Sequence, residues 1–155
     1  MTAPHLPLPV EAMPHRGNAL LLDAVLHADE ERLTAELQVR PGTSFSDADG
    51  GLPGWAGAEI MAEAIAAYAG CRSLRRTGRR AQIGLLLGIR NYHSEVARFV
   101  PGARLIVETV RSSDDSAGSG VFDCRIVRDE RVVATATLTV FQPPDESFLA
   151  EERAR

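Results

Sequence analysis

Lysine is absent from this 155-residue chain, whose 17 basic residues are all arginine, and cysteine occurs only twice. Cys71 and Cys124 offer neither a metal-ligand spacing nor a disulfide framework, so we expect no bound metal and the reducing conditions of the cytoplasm. No apolar run approaches the roughly 20 residues that cross a bilayer, and we expect no membrane partner. No basic residue precedes a hydrophobic stretch near the amino terminus, which predicts the absence of a secretory signal.

Other missing features exclude further classes of function. The net charge of -4 argues against a general nucleic-acid binder. The sequence contains no glycine-rich dinucleotide motif, no phosphate-binding loop and no Gly-x-Ser-x-Gly turn. We therefore expect no cofactor.

The length and composition of the chain indicate one folded domain over residues 1–155. Hydrophobic residues make up 45% of the chain, which is typical of a globular protein. Alternating apolar residues predict strands, and their connections are too short for helical crossovers. One helix followed by a run of strands indicates an α+β fold with an antiparallel sheet. The predicted strands are Ala19–His27, Arg32–Val39, Ile83–Tyr92, Ala103–Ser112, Gly120–Arg128 and Val132–Phe141.

The most distinctive segment is an apolar helix, predicted from Gly54 to Ala69. Pro53 suits its first turn and Gly70 its carboxyl-terminal cap. The helix follows a loop, Pro41–Gly54, which is longer than most loops in compact domains and therefore typical of functional loops. Because the helix is apolar nearly all round, we expect a sheet to wrap around it.

Two glutamates are the only charged residues of the predicted helix. Glu59 and Glu63 are spaced i, i+4 and share one face. One interpretation is a narrow wet stripe along the helix. The other is a buried Glu59 that acts as general acid or base, because burial moves the pKa of carboxyl groups toward neutrality; Glu63 is then more exposed or held by a structural hydrogen bond. Free N–H groups at the helix start could bind a thioester carbonyl oxygen, and the residues concerned are Gly54, Trp55, Ala56 and Gly57.

Five arginines within nine residues create a positive patch on this acidic protein. One interpretation is a solvated turn after the helix. The other is a docking patch for an acidic carrier protein, or for the phosphate of its pantetheine arm. The five are Arg72, Arg75, Arg76, Arg79 and Arg80.

Three motifs between about residues 8 and 142 resemble the β-hydroxyacyl-[acyl-carrier-protein] dehydratases. Met13–Asp23 resembles their Pro-His-Arg…Leu-Leu-x-Asp opening. Pro53–Glu63 resembles their Pro-Gly-x-x-x-x-Glu-x-x-Ala-Gln helix, with Glu59 at the catalytic acid. Leu87–Tyr92 and Val100–Leu105 resemble their Gly-Ile and Pro-Gly-Asp-x-Leu strands. The resemblance implies a hot-dog fold, an antiparallel sheet wrapped around one central apolar helix, which dimerises and binds acyl groups carried on the phosphopantetheine arm of acyl carrier protein.

One part of the pattern differs. The family carries Gly-His-Phe-Pro in the loop before the helix, and its histidine works with the glutamate. That position falls near Phe45, and residues 42–52 contain no histidine. In this respect the chain is more similar to the divergent dehydratase-like subunits of aryl-polyene lipid clusters. Candidates for the second catalytic group are then the loop residues Asp47 and Asp49, and His15 of the first motif.

The resemblance implies a 3-hydroxyacyl-[acyl-carrier-protein] dehydratase, a lyase of fatty acid or polyene lipid biosynthesis. The missing histidine leaves open a non-catalytic hot-dog subunit that pairs with an active dehydratase. An acyl thioesterase is a third hypothesis, because hot-dog hydrolases also use a carboxylate near this helix. A homodimer and a heterodimer with a related subunit are both compatible with the sequence.

Overall fold

The computed structural model describes residues 6–81, 84–114 and 118–142, together with residue 154. Two short 3-10 turns, at Gly17–Ala19 and Gly54–Ala56, precede longer elements. The helices are α1 (Pro9–Ala12) and α2 (Gly57–Thr77); the strands are β1 (Ala24–Ala28), β2 (Arg32–Gln38), β3 (Leu52–Pro53), β4 (Leu85–Ser94), β5 (Arg98–Phe99), β6 (Arg104–Asp114), β7 (Ser119–Arg128) and β8 (Arg131–Phe141).

Six strands form one antiparallel sheet in the order β1-β2-β6-β7-β8-β4, and β3 pairs with β5 in a separate two-stranded ladder. Along β2, Leu33, Ala35 and Leu37 alternate toward the core, as expected for a strand with one buried face. Ile60 and Met61 of α2 are fully buried in the same core. The prediction of an antiparallel sheet around one central helix is confirmed.

The end of the helix was predicted wrongly. The α-helical part begins at Gly57 and continues to Thr77, and Gly78 closes it with a φ of +71°, the left-handed cap that glycine favours. Gly70 lies inside the helix, where an added Cβ would collide with the Ala12 carbonyl oxygen of α1. This glycine is needed because two backbones cross closely, not because the helix stops. The residues around Arg72–Arg76 are therefore helical, which corrects the interpretation of a turn.

The first strand is shorter than predicted. It was expected from Ala19, but β1 begins at Ala24. Leu21 and Leu22, which precede it, are almost fully buried. Their N–H groups donate hydrogen bonds to the Glu63 side chain and not to the backbone of a neighbouring strand. The later strands agree with their predicted bounds to within two residues.

Strand β4 is a free edge of the sheet within the described part of the chain, with β8 on its other side. Its exposed residues include Leu85, Leu86, Leu87 and Ile89, between 38 and 58% exposed. The register shifts twice along the strand, and the second shift contains Asn91, whose φ is +55°. An edge of this length that presents apolar side chains is a surface suited to pairing with another strand.

No described helix is long and apolar enough to cross a membrane. In the same part of the chain, no group of three or more histidine, cysteine, aspartate or glutamate side chains is arranged to hold a metal ion.

Candidate functional site

A cavity of about 330 Å³ runs along one face of α2 and is called here the helix cavity. Its helix wall consists of residues that recur every three or four positions, which places them on one side of the helix. The opposite walls come from the segment before β1, the loop before β3 and the ends of β4 and β8. The helix residues are Glu59, Ala62, Glu63, Ile65, Ala66 and Ala69; the main facing residues are His15, Leu21, Phe45, Leu86 and Val140.

Glu59 lines the helix cavity but is exposed in the single chain. The prediction of a buried Glu59 is therefore wrong for the isolated subunit, because no element of the described chain covers the first turn of α2 on this side. Among the described residues, none forms a hydrogen bond or ion pair with its carboxylate.

Burial is found one turn later, at Glu63, which is only 4% exposed. Its Oε1 atom accepts hydrogen bonds from the N–H groups of Leu21 at 2.8 Å and Leu22 at 3.0 Å. Burial raises the pKa of Glu63 to about 7, against the opposing effects of these two donors and of Arg40. The expected structural hydrogen bond is present, but the burial of a carboxyl group here was missed. The signal in the sequence was that Glu63 occupies the glutamine position of the dehydratase motif.

His15 lies in the same cavity as Glu59. Its ring is partly buried, and the Nδ1 atom is buried without a hydrogen-bond partner in the described part of the chain. Burial lowers the pKa of His15, and the neighbouring Arg16 lowers it further. The structure thus brings two of the three predicted catalytic residues to one cavity.

The third predicted catalytic residue, Asp47, does not line this cavity. Its carboxylate forms an ion pair with Arg98 at 2.9 Å and accepts the Gly51 N–H at 3.0 Å. Asp49 binds the same guanidinium, and its pKa is lowered to about 2 by the Asp47 side chain, the Gly51 N–H and Arg98. Both aspartates fasten the loop to β5 through Arg98, which gives them a structural role in the single chain, and the catalytic assignment of Asp47 stays a prediction.

The helix start is already partly hydrogen-bonded. The Gly54 N–H donates to the Ala97 carbonyl at 2.8 Å, and the Gly57 N–H bonds back to the Gly54 carbonyl. Trp55 and Ala56 have no acceptor outside their own turn in the described structure. None of these four predicted binding residues lines the helix cavity. Only the N–H groups of Trp55 and Ala56 therefore remain for a thioester oxygen.

Trp55 is 59% exposed, although it is the only tryptophan of the chain. Its ring meets Phe45 edge-on, with 5.9 Å between centroids. Because Phe45 also lines the helix cavity, an exposed aromatic surface continues from the cavity wall to the helix start. Exposed apolar groups next to a cavity are typical of an interaction surface.

A second cavity, of about 760 Å³, lies toward the carboxyl-terminal end of α2 and is called here the arginine cavity. It shares Ile65, Ala69 and Val140 with the helix cavity, so the two cavities are adjacent along α2. Glu30 lies close to three of the arginines at this end of the helix, at 2.9 to 3.7 Å, and one carboxylate cannot neutralise three cations. The arginines that line the arginine cavity are Arg72, Arg76, Arg79, Arg80 and Arg111.

One antiparallel sheet wrapped around a central helix, with a carboxylate-lined cavity along that helix, defines a hot-dog domain. A sequence model of the ApeP-like family, described as ApeP dehydratase, matches residues 8–151. The chain belongs to the ApeP-like family. No curated protein matches it.

Solved structures agree with this assignment. The chain is similar to a structure of the dehydratase heterocomplex ApeI:P from Xenorhabdus doucetiae, at 26% identity and a TM-score of 0.88, with 97% of this chain and 100% of that chain covered. The phenylacetic acid degradation protein PaaI from Thermus thermophilus matches at 21% identity and a TM-score of 0.55, covering 77% of this chain and 91% of that one. A hypothetical thioesterase with coenzyme A from Streptococcus pneumoniae matches at 16% identity and a TM-score of 0.58, covering 77% and 84%. The last two similarities show the fold alone.

Proposed function

We propose that this chain is a cytoplasmic dehydratase subunit that acts on β-hydroxyacyl thioesters and is completed by a second hot-dog subunit. The observation that carries the proposal is the position of Glu59, which lines the helix cavity yet is exposed in the single chain. Leu86 of the free edge strand β4 lines the same cavity. A subunit docked along β4 would therefore lie beside the cavity that contains the carboxylate.

Dehydration requires one group that removes the proton on the α-carbon and one that protonates the departing β-hydroxyl. The products are an enoyl thioester and water, so one proton leaves the substrate and one returns. Glu59 is the proposed acid or base on this chain. The dehydratase family relies on a loop histidine for the other role, and the loop here carries none. A related hot-dog subunit that retains this histidine would supply it.

Assembly through β4 is supported by the composition of that edge. Its apolar side chains are exposed to water, and no described strand pairs with its outer N–H and C=O groups, which makes this edge a template for another strand. Pairing two sheets at such an edge satisfies the backbone and buries the apolar side chains together. The similar ApeI:P structure is described as a dehydratase heterocomplex, and we favour a heterodimer here because the loop histidine is missing.

The proposed substrate carrier is an acyl carrier protein. At 1.5 Å per residue, Arg72 lies about 20 Å along the helix axis from Glu59, and an extended phosphopantetheine arm is also roughly 20 Å long from standard bond lengths. The two cavities are adjacent along the helix, and arginines line the second one. An acidic carrier protein and the phosphate of its arm would complement that end.

The test is to assay the purified chain, a hot-dog dehydratase subunit that carries the loop histidine, and the mixture of the two on a β-hydroxyacyl carrier protein, with detection of the enoyl thioester. We expect turnover only in the mixture, and a loss of about 10²- to 10⁴-fold when Glu59→Gln replaces the wild type. Glu130→Gln, in the exposed turn before β8, is the matched control and leaves the rate unchanged. A mixture that is fully active with Glu59→Gln would reduce this chain to a non-catalytic partner. Release of free thiol without enoyl product would show a thioesterase instead.

A further inference from the structure

Glu63 differs from the other carboxyl groups of the described chain because it is buried and still lines a cavity. It follows Glu59 by one helical turn, and side chains at this spacing have Cβ atoms about 5–6 Å apart. The two carboxyl groups therefore border the same part of the helix cavity. Only Glu63 is shielded from solvent within the single chain.

We propose that Glu63 is a second proton-transfer group of the helix cavity, working next to Glu59 on the acyl thioester. This inference rests on the proposed function. It assigns a role to a residue of this chain other than the catalytic glutamate of the dehydratase motif, in addition to the histidine that the partner subunit supplies.

One carboxylate oxygen of Glu63 accepts hydrogen bonds, and the other has no donor among the described residues. Oε1 is occupied by the Leu21 and Leu22 N–H groups, while no described residue donates to Oε2. The nearest charges beyond these are Arg40 and Asp23, which pair with each other at 2.9 Å. The group is thus fixed in place by its first oxygen, with the second oxygen free to exchange a proton.

The groups that face Glu63 explain its titration. Burial raises the pKa, Arg40 lowers it and Asp23 raises it, with a result of about 7. On the cavity side, the ionisable residues are Glu59 and His15. A group that titrates near neutral pH can both hold and release a proton under working conditions, which is the property required of a general acid or base.

A purely structural role would not require a carboxylate at this position. The amide oxygen of glutamine accepts two N–H hydrogen bonds equally well, and it does so without the cost of a buried ionisable group. The dehydratase motif has glutamine at this point of the helix. Compared with glutamine, Glu63 therefore carries an exchangeable proton that its structural hydrogen bonds do not require. Carboxyl groups with a shifted pKa in a cavity are characteristic of functional sites.

The proton balance for this role is simple. Glu59, as carboxylate, accepts the proton from the α-carbon of the substrate. The protonated histidine of the partner subunit donates its proton to the β-hydroxyl, the carbon–oxygen bond breaks and water leaves. The electrons of the former α-carbon–hydrogen bond form the new double bond. Glu59 then passes the proton that it accepted to the Glu63 carboxylate, directly or through water in the cavity. Glu63 returns this proton to the histidine, which restores all three groups, so Glu63 is the proton reservoir that resets the site.

The test uses Glu63→Gln in the assembled wild-type complex, because glutamine preserves the contacts with Leu21 and Leu22. We expect kcat to fall at least tenfold with little change in KM, the midpoint near pH 7 to disappear from the pH profile, and the thermal midpoint to stay within a few degrees. An unchanged rate and pH profile would overturn the role of Glu63 and leave the proposed function intact. A wild-type complex without dehydration would overturn the proposed function, and this role with it.

A second measurement does not depend on the variant folding. Carbon-13 NMR of the wild-type chain, labelled in its glutamate carboxyl groups, should show one signal that titrates near pH 7 and shifts when a β-hydroxyacyl pantetheine amide is added. A signal that does not respond to the amide would show that Glu63 takes no part in the reaction and would overturn the proposal.

Discussion

The Tyr92 hydroxyl donates a hydrogen bond to the Gly54 carbonyl and joins the edge strand β4 to the start of the central helix. The bulge at Asn91 makes this contact possible, because the register shift between Arg90 and His93 changes which side chains face inward. The same hydroxyl lies where a Cβ at Gly57 would be. Glycine at position 57 therefore leaves the space that the Tyr92 hydroxyl occupies.

This contact predicts a coupled pair of substitutions. Gly57→Ala should destabilise the chain by about 1–3 kcal/mol, because the added methyl group overpacks against Tyr92. Tyr92→Phe removes the hydroxyl and should cost about 0.5–1.5 kcal/mol on its own. The double variant should be more stable than the sum of the two losses implies, as measured by urea unfolding in a double-mutant cycle. Strict additivity would show that the clash is relieved elsewhere.

Glu63 should make the stability of the chain fall as the pH rises. Its pKa of about 7 in the folded chain lies above the usual 4.5, so between these values the folded state binds more protons than the unfolded state, and stability decreases with rising pH. The difference corresponds to at most about 3 kcal/mol. Glu63→Gln lacks this dependence, so wild type should lose stability relative to the variant from pH 4.5 to 7.5. Parallel unfolding curves across that window would show that Glu63 ionises normally.

The free edge of the sheet should control assembly. Leu87→Lys places a charge on the most exposed apolar residue of β4, where Leu87 is 58% exposed, and we expect it to prevent dimer formation. Leu26→Lys is the matched control, because Leu26 is 41% exposed on the opposite edge strand β1. Light scattering of both variants, alone and with the histidine-bearing hot-dog subunit, measures whether the dimer forms. Loss of assembly in the control instead would place the interface on β1.

Charge reversal at the arginine end of α2 should weaken carrier-protein binding without unfolding the chain. The variant combines Arg75→Glu, Arg76→Glu and Arg79→Glu. Exposed ion pairs such as that of Arg76 with Glu30 contribute at most about 1 kcal/mol each, so the thermal midpoint should change little. We expect affinity for the carrier protein at low ionic strength to fall at least tenfold.

A control with the same change in net charge separates a local effect from a general one. It reverses three arginines that pair with glutamates on other parts of the surface, namely Arg104, Arg125 and Arg131. Equal losses of affinity in both triple variants would indicate long-range attraction without a docking site at the helix end.

The sequence predicted the sheet and the central helix, because apolar periodicity and turn residues determine these features locally. It failed where a contact depends on a distant segment. Gly70 looked like a cap because its role depends on Ala12, and Asp47 looked available because Arg98 is 51 residues away. Burial of Glu63 depends on Leu21 and Leu22, which are more than 40 residues earlier.

The close crossing of α1 and α2 at Gly70 limits which wall of the helix cavity can adapt. The amino-terminal segment is fastened to the helix twice, by the backbone contact at Ala12 and by the bonds from Leu21 and Leu22 to Glu63. These contacts hold this wall of the cavity against α2. Longer or bulkier acyl chains are then accommodated by the facing wall, at Phe45 and Leu86. Leu86 belongs to β4, along which the second subunit would dock. The identity of that subunit should therefore help to determine which acyl chains are accepted.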